Sequence, residues 1–165
     1  MRYLGFDPGL SGGICFLNDD GSVDTCIVMP VITDAKGKNV FDVNAIASFV
    51  MLKNNEEKVK LAVVEKPIAM PGLGSPSLVS IGMGHGILVG ILAALRIPYI
   101  TATAQSWQKE ILSGVTAGDT KQRSIQFAQQ TQPSFDWRAT ERSKRAHDGM
   151  SDSYCIAMYA KRQSK

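Results

Sequence analysis

The sequence predicts an α/β protein with a mixed sheet flanked by helices. Short apolar segments of strand length come first, and segments of helical length then alternate with further strands. The turn signal Asn18-Asp19-Asp20-Gly21 joins two early segments into a hairpin. No repeat, low-complexity tract or linker divides the 165 residues, so we expect a single domain spanning 1–165.

The individual elements follow from apolar spacing and from turn residues. The early segments predict a three-stranded meander over 3–7, 12–17 and 22–28. A helix is expected over 42–53 with Asp42 as its N-cap, and the continuous apolar run at 60–65 predicts a strand covered on both faces. Residues 67–76, rich in Pro, Gly and Ser, predict a loop. The remaining expected elements are a helix at 77–95, a strand at 97–101 and helices at 104–112, 120–130 and 148–161.

Composition excludes several classes of protein. A hydrophobic content of 44% with 20% charged residues is typical of a soluble globular chain. No apolar run reaches the roughly 18 residues that a membrane span needs. Cys15, Cys26 and Cys155 are odd in number and widely spaced, a pattern that favours reduced thiols over a disulfide framework or zinc ribbon. We therefore expect a cytoplasmic protein.

Charge is distributed unevenly along the chain. The net charge is +3, but residues 121–165 hold nine Lys and Arg against four Asp and Glu. Such a basic segment is an ordinary solvated surface or the binding surface for a polyanion. The candidate contacts in it are Lys121, Arg123, Arg142, Lys144 and Arg145.

Two acids stand at the ends of predicted strands. Asp7 follows an apolar strand and precedes Pro8-Gly9, and Glu65 closes the strand at 60–65. Functional side chains of α/β proteins gather at such strand ends, although Asp-Pro-Gly alone is also common in turns. An acid that closes an apolar strand is costly to bury unless it is paired or binds a cation.

The last predicted helix carries two more acids. Asp148 and Asp152 are spaced i, i+4, so they share one helix face about 6 Å apart. Asp148 could serve only as an N-cap or first-turn acid, whereas Asp152 heads the apolar part of the helix and is harder to explain structurally. Carboxylates without His or Cys select Mg²⁺, or Mn²⁺ in its place, and two such ions together can hydrolyse a phosphodiester.

Gly82, Gly86 and Gly90 form a bare stripe on the predicted helix 77–95. Each glycine lowers helix stability by about 1 kcal/mol relative to alanine, so close approach of another backbone is the expected reason. We expect that backbone to belong to the chain's own sheet, with a second subunit or DNA as the alternatives. His85 within this stripe is expected to be a packed or surface residue rather than a ligand.

In combination, these motifs resemble those of RuvC-type Holliday junction resolvases, of the RNase H-like or retroviral integrase superfamily. The resemblance rests on Gly5-Phe6-Asp7-Pro8-Gly9, on the strand ending at Glu65, and on Asp152 at the head of an alanine-containing terminal helix. It covers nearly the whole chain, in the order and at the length of a divergent, phage-like form. A phage-encoded form would be located in the host cytoplasm. It implies an RNase H-like five-stranded mixed sheet.

The resemblance also implies roles for individual residues. Asp7, Glu65 and Asp152 match the family's metal ligands, and Lys109 and Lys121 fall where the family contacts phosphates. The family's fourth acid lies at the position of Gly149 here, so Asp148 is expected to replace it, with His147 as the alternative. The loop at 67–76 lacks the family's aromatic wedge, which leaves Met70 as a candidate apolar contact with bases. Trp107 is expected in the core, and the place of Trp137 stays open.

The expected function is Mg²⁺-dependent cleavage of four-way DNA junctions in recombination and repair, by paired symmetric nicks that leave 5′-phosphates. One site nicks one strand, so a homodimer is implied, while helicase partners are not predicted. A less selective branched-DNA, flap or RNase H-like nuclease is one alternative, and a non-catalytic junction-binding protein is another. A fragment of an actin-like kinase is disfavoured by the length of the chain and by its acidic terminal helix.

Overall fold

The computed structural model of the protein describes residues 1–68, 75–116 and 118–164, and for 75–77, 120 and 121 it describes the backbone alone. The strands are β1 (Arg2–Asp7), β2 (Gly13–Leu17), β3 (Val23–Val28), β4 (Val31–Thr33), β5 (Asn39–Phe41), β6 (Val59–Lys66) and β7 (Tyr99–Thr103). The helices are α1 (Val43–Glu56), α2 (Ser75–Ala94), α3 (Ala104–Ile111), α4 (Thr120–Thr131) and α5 (Asp148–Gln163).

The main sheet has five strands in the order β3-β2-β1-β6-β7. β1, β2 and β3 form an antiparallel meander, while β6 and β7 run parallel to β1. The predicted mixed five-stranded sheet is confirmed. Parallel neighbours require crossover connections, which α1 and α2 provide, and the ends of β1, β6 and β7 therefore meet at one edge.

The predicted elements lie within two or three residues of their expected bounds, and one ribbon was not predicted. The strand expected at 97–101 begins instead at Tyr99, because Ile97 closes the turn after α2: its amide donates to the Leu92 carbonyl at 2.9 Å and its side chain is buried. The ribbon of β4 and β5 was not predicted, since its strands have three residues each and are largely exposed. The expected N-cap is confirmed, with Asp42 accepting from the amide of Ala45 at 2.9 Å.

The sheet separates two hydrophobic cores. Alternate strand residues face opposite sides, so Tyr3 and Val63 join the core beneath α3, α4 and α5, while Leu4 and Val64 join the core beneath α1 and α2. Trp107 and Trp137 are both buried in the first core, as expected for Trp107. Among the described helices, none has the length and hydropathy to span a membrane.

Candidate metal centre

The two strand-end acids lie on the same face of the sheet. Phe6 pairs with Val64 in the parallel register of β1 and β6, so the next residues, Asp7 at the end of β1 and Glu65 one residue before the end of β6, lie side by side. Both Phe6 and Val64 point to the α1 and α2 side, and the alternation of side chains therefore turns both acids toward α5. Strand periodicity alone thus brings two of the predicted ligands together.

Three glycines, which have no side chain, allow α5 to pack against the same strand ends. A Cβ on Gly5 of β1 would lie 2.2 Å from the carbonyl oxygen of Ser153, and a Cβ on Gly13 of β2 would lie 2.5 Å from that of Gly149. A Cβ on Gly149 itself would lie 2.3 Å from the carbonyl oxygen of Ser11. Backbone therefore packs directly on backbone, and Asp152, between Gly149 and Ser153 on α5, is held beside the ends of β1 and β6.

The acids interact electrostatically. The pKa of Asp7 is raised to about 7, first by burial and then by the negative charges of Asp152 and Glu65, with a smaller effect from Asp148. The Gly9 amide, which donates to Asp7 Oδ1 at 3.3 Å, acts in the opposite direction. Asp7 is therefore the centre of a cluster of half-buried carboxylates that repel one another when all are ionised.

Glu65 is fixed by two contacts that the sequence did not reveal. The indole Nε1 of the buried Trp107 donates to Glu65 Oε2 at 2.7 Å, and this bond partly offsets the rise in the Glu65 pKa that burial causes. His85 of α2 donates from Nδ1 to the Glu65 carbonyl oxygen at 2.9 Å. Trp107 is 42 residues from Glu65 in sequence, and no local motif signals either contact.

The first turn of α5 explains the position of the fourth acid. His147 is the N-cap, and its Nδ1 accepts from the Met150 amide at 3.3 Å, so Nδ1 is unprotonated and Nε2 carries the proton. Asp148 follows in the first turn, where its Oδ1 accepts from the Gly149 amide at 3.0 Å. Any side chain at 149 would collide with the Ser11 carbonyl, so the acid that the resemblance expects at 149 does not fit there.

The carboxylate oxygens of the cluster are suitable ligands for a divalent cation, but the side chains are not close enough together to bind one as they stand. Among the described residues, no three acidic, histidine or cysteine side chains are grouped closely enough to hold a metal ion as they stand. The available donors are carboxylate oxygens, which Mg²⁺ prefers, and a bound cation would oppose the repulsion that raises the Asp7 pKa. Asp7, Glu65, Asp152 and Asp148 are the residues that would hold it.

Comparison with known proteins finds likeness in structure. No protein-family model matches the chain, and no curated protein matches it in sequence. Thermus thermophilus RuvC in complex with a Holliday junction substrate superposes with a TM-score of 0.59 at 11% identity, over 96% of this chain and 90% of that one. The chain has the RuvC fold.

Two further structures agree with the RuvC fold. A second structure of Thermus thermophilus RuvC has a TM-score of 0.58 at 14% identity, covering 99% of this chain and 98% of that one. The yeast mitochondrial Holliday junction resolvase Ydc2 has a TM-score of 0.62 at 16% identity, covering 98% of this chain and 78% of that one. The predicted fold is therefore confirmed. Because the sequence identities are low, the likeness concerns the fold and not the activity.

The predicted basic contacts have different surroundings. Lys109 on α3 is exposed, as are Arg142, Lys144 and Arg145 before α5. Arg123 is half-buried, and its Nη2 donates to the Leu112 carbonyl oxygen at 2.7 Å, which ties α4 to the end of α3. The side chain of Lys121 and the whole of Met70 lie outside the described residues.

The glycine stripe of α2 does not pack on the protein's own sheet. Among the described residues, nothing lies within 4 Å of a Cβ placed on Gly82, Gly86 or Gly90, so the expected intramolecular contact is wrong. The glycine that permits close packing is Gly84, whose Cβ would lie 2.3 Å from the Pro8 carbonyl oxygen. The stripe remains available to a partner.

Proposed function

We propose that this protein is a Mg²⁺-dependent endonuclease that cleaves four-way DNA junctions. The observation that carries the proposal is the convergence of Asp7, Glu65 and Asp152 at one edge of a RuvC-fold sheet. Among similar structures is a RuvC in complex with a Holliday junction substrate, which supports the choice of branched DNA over an unbranched duplex.

The protein's residues would hold the metal and orient the phosphodiester. Asp7 and Asp152 stand on opposite sides of the contact between β1 and α5, and Glu65 completes the set from β6, with Trp107 fixing one of its oxygens. Two Mg²⁺ ions held by these residues would supply activation of water and stabilisation of the leaving oxygen, which would give 5′-phosphate products, and Mn²⁺ is expected to substitute. Lys109, Lys121, Arg142, Lys144 and Arg145 are the candidate contacts with the DNA backbone.

The principal test is cleavage of a four-way junction with and without Mg²⁺ by wild type, Asp7→Asn and Asp152→Asn. Both variants keep the shape of the side chain and remove its charge, so cleavage should fall at least about 1000-fold if each loses a metal ligand. Asp34→Asn, at a half-buried acid in the turn between β4 and β5, is the matched control and should cut normally. Normal cutting by either active-site variant would refute the proposal.

Substrate choice separates the alternatives. A junction resolvase should cut four-way junctions in preference to flaps and RNA–DNA hybrids under the same conditions. Equal rates on flaps would favour a less selective branched-DNA nuclease, and preferred cutting of hybrids would favour an RNase H-like activity. Junction binding without cutting under any divalent cation would indicate a non-catalytic binding protein.

Two substitutions can distinguish the fourth metal ligand from the residue that caps α5. We propose Asp148 as the ligand, because His147 already uses Nδ1 to cap α5. His147→Asn preserves a good N-cap, so it should leave Mg²⁺ affinity unchanged, whereas Asp148→Asn should weaken it. Calorimetric Mg²⁺ titration measures both, and loss of affinity in the His147 variant alone would assign the role to His147.

Paired nicking requires two sites, and we propose that a homodimer forms through α2. The side chains of Val79 and Met83 on this helix are 68% and 49% exposed, beside the open glycines Gly82 and Gly86. An exposed apolar face next to a bare backbone suits close helix-to-helix packing. Gly86→Leu should therefore produce monomers in sedimentation and uncouple the two nicks, whereas a dimer that still nicks in pairs would refute this interface.

A cytoplasmic location is part of the same proposal. Cys15, Cys26 and Cys155 are all buried free thiols, which suits a reducing compartment.

A further inference from the structure

A cavity of about 410 Å³ opens directly beside Glu65. Its walls come from the end of β6, the residues that follow it, α2 and the start of α3. Because Glu65 belongs both to this wall and to the carboxylate cluster, whatever enters the cavity lies next to the proposed cleavage site. The cavity is a neighbour of the metal centre and is not used by the reaction described above.

The cavity has one apolar side and one amide side. Pro67, Ile68, Leu78 and Ile81 form the apolar side. Gln105 and Gln108 line the other, and their i, i+3 spacing places both on one face of α3. Within the described part of the chain, neither amide group is engaged in a hydrogen bond. Each carries a donor and an acceptor that are available to a ligand.

The amide side is held rigidly relative to Glu65. Trp107, between the two glutamines, is buried and donates to Glu65 Oε2 at 2.7 Å. The start of α3 is fixed by Thr103, whose Oγ1 accepts from the Ser106 amide at 3.2 Å. The backbone that carries the amides therefore keeps one position with respect to the carboxylate cluster, as a selective site requires.

From these features we infer that the cavity receives one unpaired nucleobase next to the cleaved phosphodiester, and that Gln105 and Gln108 determine which base is preferred. The inference rests on the proposed nuclease function and adds a specificity site to it. Base faces are apolar and base edges carry hydrogen-bond donors and acceptors, which matches the two sides of the cavity. The exposed Lys66 at its rim is placed to contact the adjoining phosphate.

An unpaired base is the favoured ligand because pairing would occupy the edge that the amides read. At the branch point of a junction, stacking is already interrupted, so a base leaves its partner at lower cost than within a duplex.

The first experiment measures binding without cutting. Junctions carry a fluorescent adenine analogue, whose emission rises on unstacking, at each position near the branch, and wild-type protein is added in EDTA. We expect emission to rise at one position and the Gln105→Ala/Gln108→Ala variant to reduce that rise at least 3-fold. Gln130→Ala, an exposed glutamine on α4, is the control and should behave as wild type. A rise that the double variant leaves unchanged, or no rise at any position, would overturn the inference.

The second experiment measures specificity with Mg²⁺. The base flanking the cut is varied among the four natural bases and an abasic nucleotide. We expect wild type to prefer one base by about 10-fold or more and to cut the abasic junction more slowly, and the double glutamine variant to cut all five at similar rates. Wild-type cutting that ignores both base identity and base removal would refute the site while leaving the nuclease proposal intact. Absence of any Mg²⁺-dependent cutting would instead refute the proposed function, and the binding experiment would still judge the cavity.

Discussion

Replacing Asp7 by asparagine should make the metal-free protein more stable at pH 8 while it abolishes cleavage. The substitution keeps the size of the side chain and an oxygen that can accept from the Gly9 amide. It removes a carboxyl group whose pKa in the folded protein is raised to about 7 from its ordinary value of 3.8, mainly by burial. A residue that disfavours folding when ionised, and whose replacement abolishes cleavage, would indicate a site built to hold a cation.

The magnitude follows from the difference between the folded and unfolded pKa of Asp7. About 3 units at 1.36 kcal/mol each give an upper limit of about 4 kcal/mol above pH 7. Because the folded pKa is the higher one, wild type loses this stability as pH rises from about 4 through 7, and the loss is complete above that. In a domain of this size the variant should melt up to roughly 8–16 °C higher at pH 8.

The assay is thermal unfolding in EDTA at pH 4.5 and pH 8, followed by circular dichroism. The gain from Asp7→Asn should be large at pH 8 and about fourfold smaller at pH 4.5, where Asp7 is protonated in the folded wild type and ionises only in the unfolded chain. Added Mg²⁺ should raise the melting temperature of wild type more than that of the variant. Asp136→Asn is the control of opposite sign, because Arg138 lowers the pKa of Asp136, so this variant should gain nothing at pH 8. An equal gain for Asp7→Asn at both pH values would refute the reasoning.

Three further predictions follow from contacts described above. Trp107→Phe removes the bond to Glu65 Oε2 and should raise the Mg²⁺ concentration needed for half-maximal cleavage about 10-fold or more, and an unchanged Mg²⁺ titration would contradict it. Gly149→Ala should destabilise the protein by about 2 kcal/mol or more in urea unfolding, since its Cβ meets the Ser11 carbonyl, whereas Gly82→Ala, in open space, should be neutral or stabilising. Arg2→Met breaks ion pairs with Asp24 and Glu56 at the far end of β1 and should cost about 3 kcal/mol of stability, yet leave the cleavage rate of the folded protein unchanged.

The sequence predicted the sheet and the strand-end acids because both depend on local patterns. Apolar runs ending at Asp7 and Glu65 identified two strands, and their parallel order made a shared edge the natural place for both acids. The i, i+4 spacing of Asp148 and Asp152 was equally local. Whether α5 would reach that edge was not predictable, since it depends on the joint absence of side chains at Gly5, Gly13 and Gly149.

The supporting contacts could not be predicted, because they join distant segments through tertiary packing. Trp107 was expected in the core and is there, but its contact with Glu65 follows from how α3 docks after β7. The glycines of α2 were visible as a stripe, yet the one that packs closely, Gly84, is not part of it. Glycines on a helix show that its backbone can be approached closely, but they do not show which segment or partner approaches it.

Helix α2 has one side against the backbone at the strand ends that carry Asp7 and Glu65, and the other side against solvent. Its Gly84 lies against the Pro8 carbonyl, next to Asp7, and its His85 holds the Glu65 carbonyl. A small rotation of this helix therefore displaces the backbones of two acids at once. If a second subunit binds to the exposed side, the same helix contacts both the dimer interface and the strand ends that carry the acids. The cleavage rate of each subunit would then depend on its partner. Such coupling would let the first incision at a branch be followed promptly by the second, before the half-cut DNA is released.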